Sequence, residues 1–317
     1  MADLVYTTHH KLLADDVTMY RNLRPSVLMR NLQEISIAHT EALGAGRAKT
    51  LDKGALWVVC RVRLEIEKMP CYDDEVTLSS WAGDTMRVLF PRYYQMLDKD
   101  GNTLLKASAV WLLMDAKKRK MVFPENYGVV VQGIKTGNEI PLSFGVSLGK
   151  QQNIKRFKVA YSQVDINGHM NNAKYLDCME DVLGKDYLAA HTLKTLEIEF
   201  KSEIKLGASV RLEYTLDGDN LPMIGFVRKR PCFELKAEFT NKYATAKRRT
   251  SRQKQAHVVL KKTNSRLIGT NRSQTNSNNR KAHTNDCQEV YNKQIKRKLY
   301  TNSLRRANKS FDEQNKL

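Results

Sequence analysis

The sequence predicts an α+β protein made of two tandem copies of one unit, each an antiparallel sheet curved around a long helix. Three observations predict it. Short runs alternating apolar and polar residues follow one another at hairpin spacing, each set of four such runs is preceded by a long apolar-faced segment, and the two sets align on each other within the chain.

A lead-in strand is expected within residues 5–20. Pro25-Ser26 then opens the first helix, with Ser26 as a candidate cap. Val27, Leu28, Leu32, Ile35, Ile37, Ala38 and Ala42 supply its apolar faces before Gly44 stops it. Residues 57–67 alternate sharply. Val58, Cys60, Val62, Leu64 and Ile66 fall on one face and Val59, Arg61, Arg63, Glu65 and Glu67 on the other, as in a half-buried strand. Strands follow at 76–81, 88–97 and 104–114, the last two joined through the turn Asp98-Lys99-Asp100-Gly101-Asn102. Residues 129–153, rich in Gly, Lys, Gln and Ser, read as a surface linker.

The pattern then recurs, with a helix over 171–187 and strands near 194–204, 208–216, 222–230 and 232–240. Leu43-Gly44 aligns with Leu183-Gly184 at an offset of 140, and Val76-Thr77-Leu78 with Val210-Arg211-Leu212 at 134. A curved antiparallel sheet around a central helix is the hotdog fold, and two copies in one chain would pair as a fused pseudo-dimer. The expected organisation is a first hotdog domain over 1–134, a linker over 135–153, a second hotdog domain over 154–245 and a basic tail over 246–317.

Charge follows that division. The net charge of +19 invites a nucleic-acid reading, but residues 1–246 contribute +4 and residues 247–317 the other +15. The basicity therefore belongs to the tail, and nucleic acid is disfavoured as a partner of the folded part. Few apolar residues in the tail predict disorder. Two alternatives remain open there: a basic helix over 288–306 that touches membrane, nucleic acid or an acidic protein, and a reading-frame or gene-model artefact. The N-terminal residues have no basic, apolar leader pattern and no run is long enough to span a membrane, so a cytoplasmic protein is expected. Cys60, Cys71, Cys178, Cys232 and Cys287 show neither C-x-x-C spacing nor a His cluster. No zinc site, disulfide frame or other metal or cofactor is implied.

The candidate site lies at Asp165-Ile166-Asn167-Gly168-His169-Met170-Asn171-Asn172. If this segment enters the second helix extended, Asp165, Asn167 and His169 share one side, with Gly168 permitting a turn. Glu203, expected in the strand that runs back past the helix, would join them. A carboxylate with a positioned imidazole can activate water, and backbone N–H groups at a helix N-terminus, here Met170 to Asn172, can hold an oxyanion.

The pattern Asp-x-Asn-x-His-x-Asn-Asn, a helix and then Glu resembles the active-site half of the acyl-acyl carrier protein (acyl-ACP) thioesterases of fatty-acid synthesis. Leu56-Trp57-Val58-Val59, Glu65-Ile66-Glu67-Lys68-Met69-Pro70-Cys71-Tyr72-Asp73-Asp74 and Ala107-Ser108-Ala109-Val110-Trp111-Leu112-Leu113-Met114 resemble that family's first half, and the likeness covers roughly residues 1 to 245. It implies Asp165, Asn167, His169 and Glu203 as the catalytic set and a carrier protein bearing a fatty acyl-phosphopantetheine as partner, with a homodimer left open. Many relatives have Cys directly after the strand Glu, where this chain has Ile204, so the carboxylate scheme is favoured over a thiol one.

At the repeat offsets, Pro25, Val27, Met29 and Met69 stand opposite the four site residues. The first copy would then supply an apolar acyl pocket, with Val27, Met29 and Met69 as lining or as plain core. Arg87, Arg92 and Lys174 are candidates for steering the acidic carrier, or are simply solvated surface. Rival readings are an acyl-coenzyme A thioesterase on the same fold and a non-catalytic acyl-binding or nucleic-acid-binding protein.

Overall fold

A computed structural model describes residues 3–242. The tail from 246, its candidate helix over 288–306 and Cys287 lie outside the described residues.

The described chain forms a ten-stranded antiparallel sheet, ordered β1-β3-β4-β5-β2-β7-β10-β9-β8-β6. In the first half these are β1 (Val5–Lys11), β2 (Ala55–Ile66), β3 (Glu75–Ala82), β4 (Leu89–Asp98) and β5 (Thr103–Asp115), with helix α1 (Pro25–Ala42). The second half repeats them as β6 (Asn153–Lys158), β7 (His191–Phe200), β8 (Ser209–Tyr214), β9 (Asn220–Val227) and β10 (Arg230–Asn241), with helix α2 (Lys174–Ala190). The fold is two tandem hotdog domains. Their sheets join where β2 pairs with β7, Val62 opposite Ile198 and Leu64 opposite Leu196.

The strand alternation explains the seam. Val62, Leu64, Leu196 and Ile198 turn inward with 0–2% exposure and enter a core shared by both halves, together with Leu28, Leu32 and Ile35 of α1 and Leu176 and Met179 of α2. On the opposite face Arg61 meets Glu199 and Arg63 meets Glu197, each at 2.9 Å. The alternation changes phase at one point. Cys60 is an extra residue between Val59, opposite Trp111, and Arg61, opposite Val110, and this bulge buries Val59 where simple alternation expected Val58.

Four local expectations are corrected. Arg24, not Ser26, caps α1, through its backbone alone, and Ser26 is itself buried. The lead-in strand ends at Lys11, and β6 adds a counterpart that weak alternation concealed. Strand β7 stops at Phe200, so Glu203 sits in the loop beyond it. The connection between the halves, finally, is no plain surface linker: Val129, Ile140, Ser143 and Val146 are buried. Ser143 Oγ donates to Glu197 and the Val146 N–H to Glu199, so this segment covers the Arg/Glu ladder of the seam.

Because Leu64 and Leu196 face each other fully buried at the junction, Leu64→Ala should cost about 2–5 kcal/mol of stability. Denaturant unfolding followed by circular dichroism checks this, with Ile37→Ala, on the exposed side of α1, as the mild comparison.

Candidate active site

The site begins as a tightly closed loop. Val164 bridges Met170, the Asp165 N–H donates to the His169 carbonyl at 2.9 Å, and the Gly168 N–H donates to the Asp165 carbonyl at 3.0 Å. Gly168 has φ 75°, a left-handed conformation that glycine adopts without steric cost. Asp165 Oδ1 accepts the Asn167 N–H at 2.8 Å, which braces the turn further. The segment is thus a turn and not an extended run. It leaves Ile166 and Asn167 exposed, whereas Asp165 and His169, opposite each other across the turn, stay half-buried.

A second contact places Glu203. His169 pairs with Lys205 in an antiparallel bridge, and the Met170 N–H donates to the carbonyl of the fully buried Ile204 at 2.7 Å. This register brings Glu203 Oε2 to 3.3 Å from His169 Nε2. From the first half, Arg119 in the turn after β5 reaches across and pairs with Glu203. Its backbone is left-handed too, at φ 52°. Asp115 Oδ1 accepts the N–H groups of Lys117 and Lys118 and shapes that turn.

Burial and, next, the Arg119 charge lower the His169 pKa from its ordinary 6.5, with Lys205 adding to the effect and Asp165 opposing it. The imidazole is therefore held neutral and able to accept a proton. The expected oxyanion donors fare less well. The Met170 N–H is engaged by Ile204 and the Asn171 N–H by Gln163, leaving Asn172 as the one of the three without a backbone partner among the described residues. Cys178 is buried in α2, and burial pushes its thiol up to about 12, which removes it as a nucleophile.

Asn167 has a different neighbourhood. With Ile166 it borders a cavity of about 220 Å³ whose other lining residues all come from the first half and the segment after it, including Ile37, Leu51, Trp57, Phe90 and Trp111. Val27, Met29 and Met69 are not among them and pack instead into the shared core. Of the candidate steering residues, Arg87 is exposed in the β3–β4 turn and Lys174 is paired with Asp177 at 2.9 Å. Arg92 is only 6% exposed and cannot form part of an outer surface.

The repeat also reads differently in three dimensions. Val17 bridges Leu23, the Thr18 N–H donates to the Asn22 carbonyl, the Arg21 N–H to the Thr18 carbonyl and the Leu23 N–H to the Pro70 carbonyl. These bonds match those of Val164, Asp165, Gly168 and Met170 one for one. Thr18, Tyr20 and Asn22 therefore occupy the places of Asp165, Asn167 and His169, an offset of 147 and not 140, while Met69 does stand at the place of Glu203. The first copy has kept the loop with other polar side chains. The misalignment arose in the helices, since α2 reaches its left-handed Gly184 about two turns sooner than α1 reaches Gly44.

Residues 3–126 match the acyl-ACP thioesterase N-terminal domain and residues 146–277 the acyl-ACP thioesterase C-terminal domain. The chain belongs to the acyl-ACP thioesterase family. The second match continues past residue 245, where the resemblance was expected to end. Among curated relatives, a chloroplastic palmitoyl-acyl carrier protein thioesterase of Arabidopsis thaliana is 24% identical over 63% of this chain and 52% of its own length. A chloroplastic dodecanoyl-[acyl-carrier-protein] hydrolase of Cinnamomum camphora is 22% identical over 68% and 60%. This family member thus spans little more than half the length of the curated relatives it matches. Two solved structures share its fold. An acyl-ACP thioesterase from Bacteroides thetaiotaomicron has a TM-score of 0.64 at 19% identity, covering 74% of this chain and 98% of that one. The 12:0-ACP thioesterase of Umbellularia californica has a TM-score of 0.66 at 18% identity, covering 76% and 99%.

Sequence reasoning missed Arg119, whose one signal was the basic run Lys117-Lys118-Arg119-Lys120 in a turn. If its charge holds His169 down, Arg119→Met should raise the His169 pKa toward 6.5. A proton NMR titration of the ring C–H signals reads this directly, and an unmoved midpoint would show that burial alone sets the value.

Proposed function

We propose that this chain hydrolyses the thioester of a fatty acyl chain carried on acyl carrier protein, releasing the free acid and ending chain elongation in fatty-acid synthesis. One observation supports this reading above the rest. His169, paired with Glu203, belongs to the loop whose residues Ile166 and Asn167 border a largely apolar cavity supplied by the other half. Polar chemistry and room for an acyl chain therefore adjoin.

The catalytic set we propose is Asp165, Asn167, His169 and Glu203. With the acyl chain in the cavity, the thioester carbonyl lies at the rim beside Asn167, whose amide holds the carbonyl oxygen or the attacking water. Water attacks the carbonyl carbon as its proton passes to Glu203 or Asp165, and the tetrahedral intermediate then expels the pantetheine sulfur. The imidazole, neutral at rest, relays a proton to that sulfur, so that a free acid and a thiol leave. The exposed basic turn at residues 117–120 adjoins the site and suits an acidic carrier.

Expression in bacteria with analysis of released free fatty acids tests the activity, and acyl-ACP and acyl-coenzyme A offered side by side identify the carrier. Glu203→Ala and His169→Ala should each lower kcat/KM by about 10²–10⁴-fold without loss of the folded circular dichroism spectrum. A folded Glu203→Ala protein with full activity would rule out Glu203 as the base and leave Asp165.

Protonation of His169 removes the acceptor. Because its pKa lies below 6.5 in the folded protein, kcat/KM should hold at neutral pH and fall as the pH drops below that value. In Arg119→Met the acid limb of the pH–rate profile should move to higher pH.

A further inference from the structure

The lining of the cavity divides by exposure. Glu41, Arg47, Leu51, Ile166 and Asn167 are exposed and so lie toward its mouth, whereas buried lining residues, Ser36, Thr40, Ala82, Phe90 and Arg92 among them, lie toward its inner end. Most of the wall is apolar, but the inner end is not. Arg92 Nη1 donates to His39 Nδ1 at 2.9 Å and to Ser80 Oγ at 3.1 Å, and Nη2 donates to Thr40 Oγ1 at 2.9 Å. Ser36 Oγ lies 2.7 Å from the Tyr94 hydroxyl close by.

Every partner of this guanidinium is neutral. Since His39 Nδ1 accepts from Arg92, the ring proton sits on Nε2, which donates to the Asp3 carbonyl at 3.1 Å. Burial, and then the Arg92 charge, push His39 down to about 4, so it stays uncharged at neutral pH. Among the described residues no carboxylate pairs with Arg92, whereas the less buried Arg61 and Arg63 each have a glutamate at 2.9 Å. A guanidinium offers five N–H donors, and three are engaged. A buried cation without a counter-ion is costly, and one in the wall of a ligand cavity is the natural partner of a ligand oxygen.

We propose that the inner end of the cavity is a subsite for an oxygen-bearing group, carboxylate foremost, at the far end of the acyl chain, with Arg92 as its anchor. This rests on the cavity being the acyl site of the proposed hydrolase. Eight-carbon probes that differ only at the far end test this subsite.

The test uses the full chain and needs no turnover. Calorimetry at neutral pH should find octanedioate bound at least ten-fold tighter than octanoate, with 8-hydroxyoctanoate between them. Arg92→Met should reduce the octanedioate advantage to less than two-fold, and Arg92→Lys should keep part of it. Octanedioate binding no tighter than octanoate in the unaltered protein overturns the proposal, even if the variants fail to fold. In parallel, octanoyl and 7-carboxyheptanoyl thioesters of acyl carrier protein are compared as substrates. Arg92-dependent diacid binding without hydrolysis of either thioester keeps the subsite and sinks the hydrolase reading. Hydrolysis of both, without a distal-oxygen preference in either assay, does the reverse.

Discussion

The antiparallel pairing of β2 with β7 is the constraint on which the rest depends. It merges two five-stranded sheets into one, sets the fully buried Leu64 against Leu196, and lets both helices pack on a single core. With the two halves fixed by that register, Arg119 of the first can reach Glu203 of the second, and Ile166 and Asn167 can border a cavity that the first half lines. A loss of register by one residue would turn the apolar face of β2 outward and separate these groups together.

The two copies have diverged in side chains more than in backbone. The loop that positions His169 is repeated bond for bond around Asn22, with Arg21 taking a left-handed conformation at φ 67° where the second copy has Gly168. An arginine there carries a strain that glycine avoids. The first copy also places Met69 where the second has Glu203, so its loop lacks a carboxylate at that point. Its helix runs about two turns further before a left-handed glycine, whereas α2 is kinked at Gly184 and continues to Ala190. That length provides Ser36, Ile37 and Thr40 for the cavity wall.

The fold was legible because the alternation in residues 57–67 and the turn at 98–102 are strong local signals, and because they recur after the second helix. The bulge at Cys60 was not, since one extra residue leaves no trace in composition while reversing which of Val58 and Val59 is buried. Asp165, His169 and Glu203 could be named from the chain, but their geometry could not. A period-two reading assumes an extended segment, and the bonds among Asp165, Gly168 and His169 close it into a turn. Arg119 escaped, and Arg92 was placed on the outer surface, for a different reason. One acts across the junction of the halves and the other inside a cavity, and neither setting is written in neighbouring residues.

The sheet has two outer strands, β1 and β6, and each leaves a row of backbone donors and acceptors facing away from its one neighbour. Such a margin is a template on which a second molecule can add its own strand. Both margins are short, at seven and six residues, and both carry charge or imidazole: His9, His10 and Lys11 on one, Lys155, Arg156 and Lys158 on the other. A copy approaching β6 meets like charge, whereas β1 offers imidazoles and a Lys11 already paired with Asp73. The architecture that fuses two sheets edge to edge in its middle thus discourages the same union at its rims, and with it growth into fibrous aggregates.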